Sequence, residues 1–551
     1  MDFLSGLNGV QREAVENFEG PSLVIAGAGS GKTRVLTYRI ANMLAHGVKP
    51  WSVLALTFTN KAAKEMKERI AKVVGEQRSA SLWMGTFHSI FAKILRMEAE
   101  KIDFTSSFTI YDTADSRNLI RAILKELNIA EEQYKVNDVH ARISMAKNNL
   151  MTPQAYAASG SIAENDAKAR KPRIAEIYNA YARRCKSANA MDFDDLLLYA
   201  NILFRDHPEL LDKYRSKFRY VLVDEYQDTN YAQYLIIKKL TEEHRNLCVV
   251  GDDAQSIYSF RGAKIENILN FKKDFPECKT FKLEQNYRST QNIVDAANSV
   301  IRHNENQLQK KCFSEGEEGE KVSVIPSFTD QEEGLRVVGD INDRIFAEQA
   351  QYSDFAILYR TNAQSRIFED SLRRRSIPYR IYGGMSFYQR KEIKDLLAYL
   401  RLLVNHNDDE AFKRVVNYPK RGIGDTTMDR IELAASQNNL SLWSGILSLT
   451  PEQAEIKGAA YKKLSDFLVM IDNFSQQLSS QSAYDLAYSV AQQSGILAEL
   501  RAEKTIEGIA KLENVEELLN GIKEFCENYV EENGEQPQLA QYLENVSLLT
   551  D

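Results

Sequence analysis

The chain has 551 residues, 44% hydrophobic and 27% charged, enough for about three to four compact units with cores of their own. Mean hydropathy is −0.41, and no run reaches the roughly 18 apolar residues of a membrane-crossing helix, which excludes a helical membrane protein. The net charge of −7 argues at first sight against a nucleic-acid partner, but its distribution along the chain matters more than its sum.

The N-terminus lacks the basic start and apolar stretch of a signal peptide. Five scattered cysteines form no C-x-x-C pair, so neither a zinc site nor a disulfide framework is expected. The expected location is the cytoplasm.

In chain order, the first short apolar run is 22–26, which leads into a glycine-rich loop. The run 53–57 ends at Phe58, Thr59 and Asn60. Amphipathic helical patterns then dominate residues 114–189. The runs 220–223 and 247–250 end at Asp224-Glu225 and at Gly251-Asp252-Asp253. Continuous apolar runs of this length suit parallel strands buried on both faces. With helices between them they imply an α/β fold, with ligands at the carboxyl ends of the strands. A second α/β unit is expected from near Phe281, with strands at 321–325 and 354–359. From Met385 onward the pattern is helical. The expected division is therefore 1–113 with 190–280 as a first domain, 114–189 as its helical insertion, 281–384 as a second α/β domain, and 385–551 as a helical accessory domain.

The strongest local signal runs through Ala26, Gly27, Ala28, Gly29, Ser30, Gly31, Lys32 and Thr33. A strict P-loop has glycine where Ala26 stands, but the chemistry survives this change. Glycines let backbone N–H groups turn toward phosphate, and the following helix adds the positive end of its dipole. Lys32 would neutralise the β- and γ-phosphates of ATP, and the Thr33 hydroxyl would bind Mg2+. Asp224 and Glu225 after an apolar strand suit a contact to Mg2+ and activation of water. Two acids in such a place are ordinarily just the start of a loop; the P-loop upstream reverses that reading.

The wider pattern resembles the superfamily-one DNA helicases of the UvrD/Rep/PcrA kind. Residues 224–229 (DEYQDT) and 249–263 (VVGDDAQSIYSFRGA) are similar to that family's motifs II and III. Residues 7–14 resemble its Q motif, 56–69 motif Ia, 85–89 motif Ib and 283–290 motif IV. Residues 356–366 and 382–384 match segments of its second motor domain. The resemblance implies a P-loop NTPase with two RecA-like parallel-sheet motor domains, each carrying a helical insertion. It implies that Gln255 senses the γ-phosphate, that Arg288 reaches it, and that Tyr287 stacks on adenine. It further implies that Gln11 hydrogen-bonds the adenine edge, with Arg34 and Arg39 nearby. The activity implied is that of an ATP-dependent 3′-to-5′ DNA helicase in repair or replication.

Single strands bind through stacking on aromatics and cation–phosphate contacts. Tyr258, Phe260 and Arg261 stand together just after Gln255. In the resembling family these positions line the single-strand channel, as do Phe58, Asn60, His88, Arg360 and Asn362. Phe260 stands where that family commonly has tryptophan, so weaker stacking is expected. Lys420, Gly422 and Gly424 form a basic-flanked Gly-Ile-Gly turn whose N–H groups can meet phosphate, and it resembles the duplex-contacting loop of that family's helical accessory domain. Between 360 and 425 there are 14 basic and 8 acidic residues, net +6, whereas 504–551 has net −8. The acidic tail thus hides a basic region, and the expected partners are single-stranded DNA and single/double-strand junctions.

The family's last two motifs find no match before Asp551. The expectation is therefore a chain that stops inside the second motor domain, binds ATP and DNA, and hydrolyses and unwinds poorly. An ATP-regulated DNA-binding module, or the helicase subunit of a helicase–nuclease, is the alternative.

Overall fold

A computed structural model describes residues 3–382 and 387–549. Gly383, Gly384 and Met385, where the resemblance to the second motor domain ends and the accessory domain was expected to begin, lie outside the described residues, as does Asp551.

The apolar runs form the expected parallel sheet. Its strands are β1 (Ser22–Ala26), β2 (Val53–Thr57), β3 (Trp83–Thr86), β6 (Tyr220–Val223), β7 (Leu247–Gly251) and β8 (Lys279–Leu283). Their spatial order is β3-β2-β6-β7-β1-β8, and every neighbouring pair is parallel. β1, β2 and β7 are buried along their whole length. A strand buried on both faces has no reason to alternate polar and apolar side chains, which is why these runs read as continuous. One face carries Leu23, Leu56, Phe91, Val223 and Ile236; the other carries Val24, Val35, Ile40, Ala55 and Val250. Helix α1 (Gly9–Glu16) begins at a capping box in which Asn8 and Gln11 bond each other's backbone, and α2 (Lys32–Ala45) follows β1 across the glycine loop.

Between residues 113 and 187 the chain is helical. Helices Thr113–Glu126, Val136–Asn148, Pro153–Ala158, Gly160–Lys168 and Ile174–Ser187 enclose a core of their own. The short strands β4 (Thr109–Tyr111) and β5 (Ala190–Asp192) pair in parallel and bracket it. At its base the Lys147 ammonium is buried between Asp192 (2.6 Å) and Asp195 (2.8 Å). The helices after residue 390 pack on this segment through ion pairs, among them Arg401–Asp115 at 2.8 Å and Arg184–Glu432 at 2.5 Å. Residues 1–318 and 392–551 thereby make one compact unit.

The region expected to hold the second sheet differs in two respects. Phe281, taken as its start, lies in β8 and pairs with Val24 of β1. Chain continuity thus carries the first sheet one strand further than the motif boundary suggested. The ribbon of β9 (Gln285–Asn286) and β10 (Phe313–Ser314) also belongs to this first unit. The other compact unit is Gly319–Lys391. In it, helices Asp330–Glu348 and Ser365–Arg374 pack around Val338, Leu372 and Ile377. Residues 321–325 and 354–359 are not strands there. Val324 and Leu358 are 88% and 92% exposed. Their apolar pattern suits a strand, but a strand also needs a neighbour to take its hydrogen bonds.

Candidate functional site

The carboxyl ends of β1, β6 and β7 bring the expected nucleotide residues together. Gly29 and Gly31 have φ of +66° and +90°, a left-handed backbone that side chains disfavour. This lets the loop turn into α2, whose N-terminus carries Lys32 and Thr33 without a side-chain cap. The loop is held from several sides. Gly27 N–H donates to the Leu283 carbonyl at 2.9 Å, and the Ser30 hydroxyl donates to the Gly27 carbonyl at 2.7 Å. Asn286 donates its amide to the Ala28 carbonyl at 2.7 Å, and Tyr287 N–H donates to the Gly29 carbonyl at 3.0 Å. A Cβ on Gly29 would stand 2.9 Å from that of Arg288. Tyr287 and Arg288 are thus anchored on the phosphate loop, both with exposed side chains. Asn8 donates to the Tyr287 hydroxyl at 2.8 Å.

Lys32 is paired with Glu225 at 2.9 Å. The Glu225 carboxylate also accepts from the Gln227 amide at 3.0 Å, and the Gln227 side-chain oxygen Oε1 accepts from Asp252 N–H at 3.0 Å. Asp252 in turn accepts from the Gln255 amide at 2.7 Å. A chain of hydrogen bonds therefore runs from the phosphate lysine to the expected phosphate sensor. Asp224 is buried at the end of β6. Burial foremost, and the Glu225 charge next, push its pKa up to about 7 against the pull of Lys32. Burial and Glu225 likewise push Asp228 up to about 6. A desolvated carboxyl of this kind gains most from an added cation. Among the described residues no group of three or more His, Cys, Asp or Glu could enclose a metal ion. A hard cation here would thus share Thr33 and Asp224 with phosphate oxygens, the usual mode for Mg2+.

Two expected adenine-side residues have partners within the protein. Gln11 is buried, donates to the Ser30 carbonyl at 2.9 Å and accepts from Asn8 N–H at 3.2 Å. Its amide thereby caps α1 and holds the loop. Arg39 is buried as well, bonded to the Ala14 carbonyl and to the Ser22 hydroxyl. It ties α1 and α2 to β1, because a buried guanidinium must find acceptors. Arg34 donates to the Gly6 carbonyl at 2.9 Å and lies beside the Tyr38 ring.

The residues expected to meet DNA lie in several places. Tyr258 and Phe260 are 39% and 71% exposed, with ring centroids 6.0 Å apart and Arg261 within 6 Å of both. Such a cluster lies on the surface rather than in the core, and its exposed rings could offer stacking faces. Phe58 packs edge-on against Phe87, and Asn60 donates to the Leu548 carbonyl at 2.9 Å. His88 is half-buried and stacks on Phe193 at 3.9 Å, and burial pushes its pKa down to about 3. Its place after β3 was legible, but its partner lies 105 positions on and was not. Gly422 has φ +73° and its carbonyl accepts from Lys463; Gly424 starts the helix Asp425–Gln437, and Lys420 is exposed beside them. Arg360 and Asn362 are exposed in the smaller unit. Sequence reasoning missed Gln227, Asp252 and Asn286 as connecting groups, although each lies inside a motif it singled out. It also missed Lys310, which carries no motif signal.

Comparison with known proteins agrees with this geometry. A model of the UvrD/REP helicase N-terminal domain matches residues 7–276, and a model of the UvrD-like helicase C-terminal domain matches residues 281–551. The chain is 43% identical over 549 residues to the ATP-dependent DNA helicase PcrA of Leuconostoc citreum, covering 99% of this chain and 72% of that protein. It is 43% identical over 553 residues to the PcrA of Bacillus subtilis, covering 100% and 72%. For the PcrA of Staphylococcus epidermidis the identity is 42% over 549 residues, covering 100% and 74%. The expectation that the chain stops short within its C-terminal family domain is not supported, because that domain's model extends over 281–551. The search for two short motifs tested a few positions, whereas the model tests the pattern of the domain. The chain belongs to the UvrD/REP helicase family and is an ATP-dependent DNA helicase.

Proposed function

We propose that this helicase moves 3′ to 5′ along single-stranded DNA and opens duplex at single/double-strand junctions, in repair or replication. The observation that carries the reading is the Lys32–Glu225 pair at 2.9 Å beside the glycine loop, joined by hydrogen bonds to Gln255. ATP would draw Lys32 from Glu225 to its phosphates, and the freed carboxylate would then accept a proton from water. Bound Mg2+ would supply charge neutralisation at the phosphates, held through Thr33 and Asp224. Gln255 would report the γ-phosphate to the exposed Tyr258–Phe260–Arg261 platform a few residues on. Arg288 would add a cation, and Tyr287 would offer its exposed ring to adenine.

The 3′-to-5′ polarity rests on the family resemblance of the motifs. The division into two motor domains, each with a helical insertion, belongs to the same reading, as does a cytoplasmic location, where ATP and DNA meet. Steady-state ATP hydrolysis with and without a single-stranded oligonucleotide tests the reading. Stimulation by the single strand, lost in Glu225→Gln, is expected. Hydrolysis indifferent to DNA would count against it.

A further inference from the structure

Lys310 is the one group on the segment 302–312 that reaches the hydrogen-bond chain of the nucleotide site. Its ammonium lies 2.9 Å from Asp252 and 2.6 Å from Asp253, and all three side chains are less than 10% exposed. Asp253 also accepts from Leu308 N–H at 2.8 Å, so the segment is pinned by backbone and side chain together. The other oxygen of Asp252 accepts from the Gln255 amide at 2.7 Å. Three residues after Lys310 the chain enters β10, which pairs with β9, and two residues after β9 comes Arg288.

This arrangement has a direct physical consequence. Asp252 and Asp253 are adjacent buried carboxylates, and the Lys310 ammonium between them is the cation that two buried charges need close by. Burial works against the charge of Lys310, but the attraction of Asp252 and the bonds to both carboxylates outweigh it and hold its pKa above the usual value. Without that cation the Asp252 carboxylate would keep the Ala254 N–H and the Gln255 amide as partners but be free to turn, and the Gln255 amide would lose its fixed orientation. Lys310 touches neither the phosphate lysine nor the water-activating glutamate; its influence passes through Asp252.

We infer that Lys310 is a positioning residue for hydrolysis: by clamping Asp252 and Asp253 it aims Gln255 and locks the β9–β10 ribbon that carries Arg288 to the sensor loop. This rests on the reading of Gln255 given above. A residue serving only to hold the fold would change stability, or all kinetic constants together. A residue that aims Gln255 must instead lower kcat with little effect on the KM for ATP, and must do so through Gln255.

The test is a double-mutant cycle with Lys310→Met and Gln255→Ala, measured by DNA-stimulated ATP hydrolysis, with thermal melting as the check on folding. Lys310→Met is expected to lower kcat by about 10–100-fold, the usual cost of a misaimed group. The double variant is expected to be no slower than the slower single variant. Should Lys310→Met fail to fold, Lys310→Gln with Asp253→Asn keeps the net charge of the cluster while removing the clamp, and is judged in the same way. A folded variant with unchanged kcat, a raised KM alone, or losses that add to those of Gln255→Ala would overturn the inference. Wild type that hydrolyses no ATP would overturn the functional reading and this inference with it. An active wild type beside an unaffected clamp variant would overturn the inference alone.

Discussion

Glu225→Gln separates two effects that one carboxylate produces. In the structure Glu225 holds Lys32 at 2.9 Å, with side-chain exposures of 36% and 12%. ATP phosphates would compete for the same ammonium. The pair is only partly screened from water, so its interaction is discounted to about 1 kcal/mol. The amide keeps an acceptor for Lys32 but removes the charge, and it also removes repulsion toward phosphate. ATP should therefore bind roughly fivefold more tightly to the variant, taking about 1.4 kcal/mol per tenfold. Turnover should fall by about 10²–10⁴-fold through loss of the general base. Titration of both proteins with a fluorescent, non-hydrolysable ATP analogue, alongside steady-state hydrolysis, measures both. Weaker or unchanged binding would refute competition between Glu225 and nucleotide for Lys32, and retained turnover would refute Glu225 as the base.

Further outcomes are expected at other groups. Asp224, pushed up to about 7, must ionise to bind a cation, so Mg2+-dependent ATP affinity should fall as pH drops through that value, with proton release visible as a buffer-dependent binding enthalpy. Since this pKa lies above that of the unfolded chain, ionising Asp224 costs stability as pH rises from about 4 to about 7. Asp224→Asn should therefore raise Tm most at about pH 8 and progressively less toward pH 5; a gain that grows on acidification would contradict the sign. Phe260→Ala should weaken single-strand binding by about 1–3 kcal/mol without changing its salt slope, because stacking releases no counterions. Lys147→Met leaves Asp192 and Asp195 buried without their cation and should cost about 3–5 kcal/mol by urea unfolding.

What was legible in the sequence depended on whether the determinants were local. Lys32-Thr33 after a glycine run, and Asp224-Glu225 after an apolar strand, carry their chemistry within a few residues. The structure brings them together because both strands end on the same edge of one parallel sheet. The partners of Gln11 and Arg39, the Ser30 carbonyl and the Ala14 carbonyl, were not legible because they arise from packing between elements. The stacking of His88 on Phe193 was not legible, because nothing near His88 in the sequence announces that partner. Residues 321–325 and 354–359 have a pattern suited to strands, but strand formation is a property of a pair, and one segment alone does not specify its neighbour. Lys310 sits in a polar run between Gln309 and Lys311 that resembles any solvated surface; only the two carboxylates facing it give it a role.

The central claim is that ATP hydrolysis at the Lys32–Glu225 site drives strand separation on DNA. The most direct test incubates the protein with a duplex carrying a single-stranded 3′ tail, and in parallel with one carrying a 5′ tail, in the presence of Mg2+ and ATP. The account predicts separation of the 3′-tailed substrate, dependent on ATP and abolished by Glu225→Gln, with little separation of the 5′-tailed one. Preference for the 5′ tail would contradict the polarity, and absence of ATP-dependent separation from both substrates would contradict the claim itself.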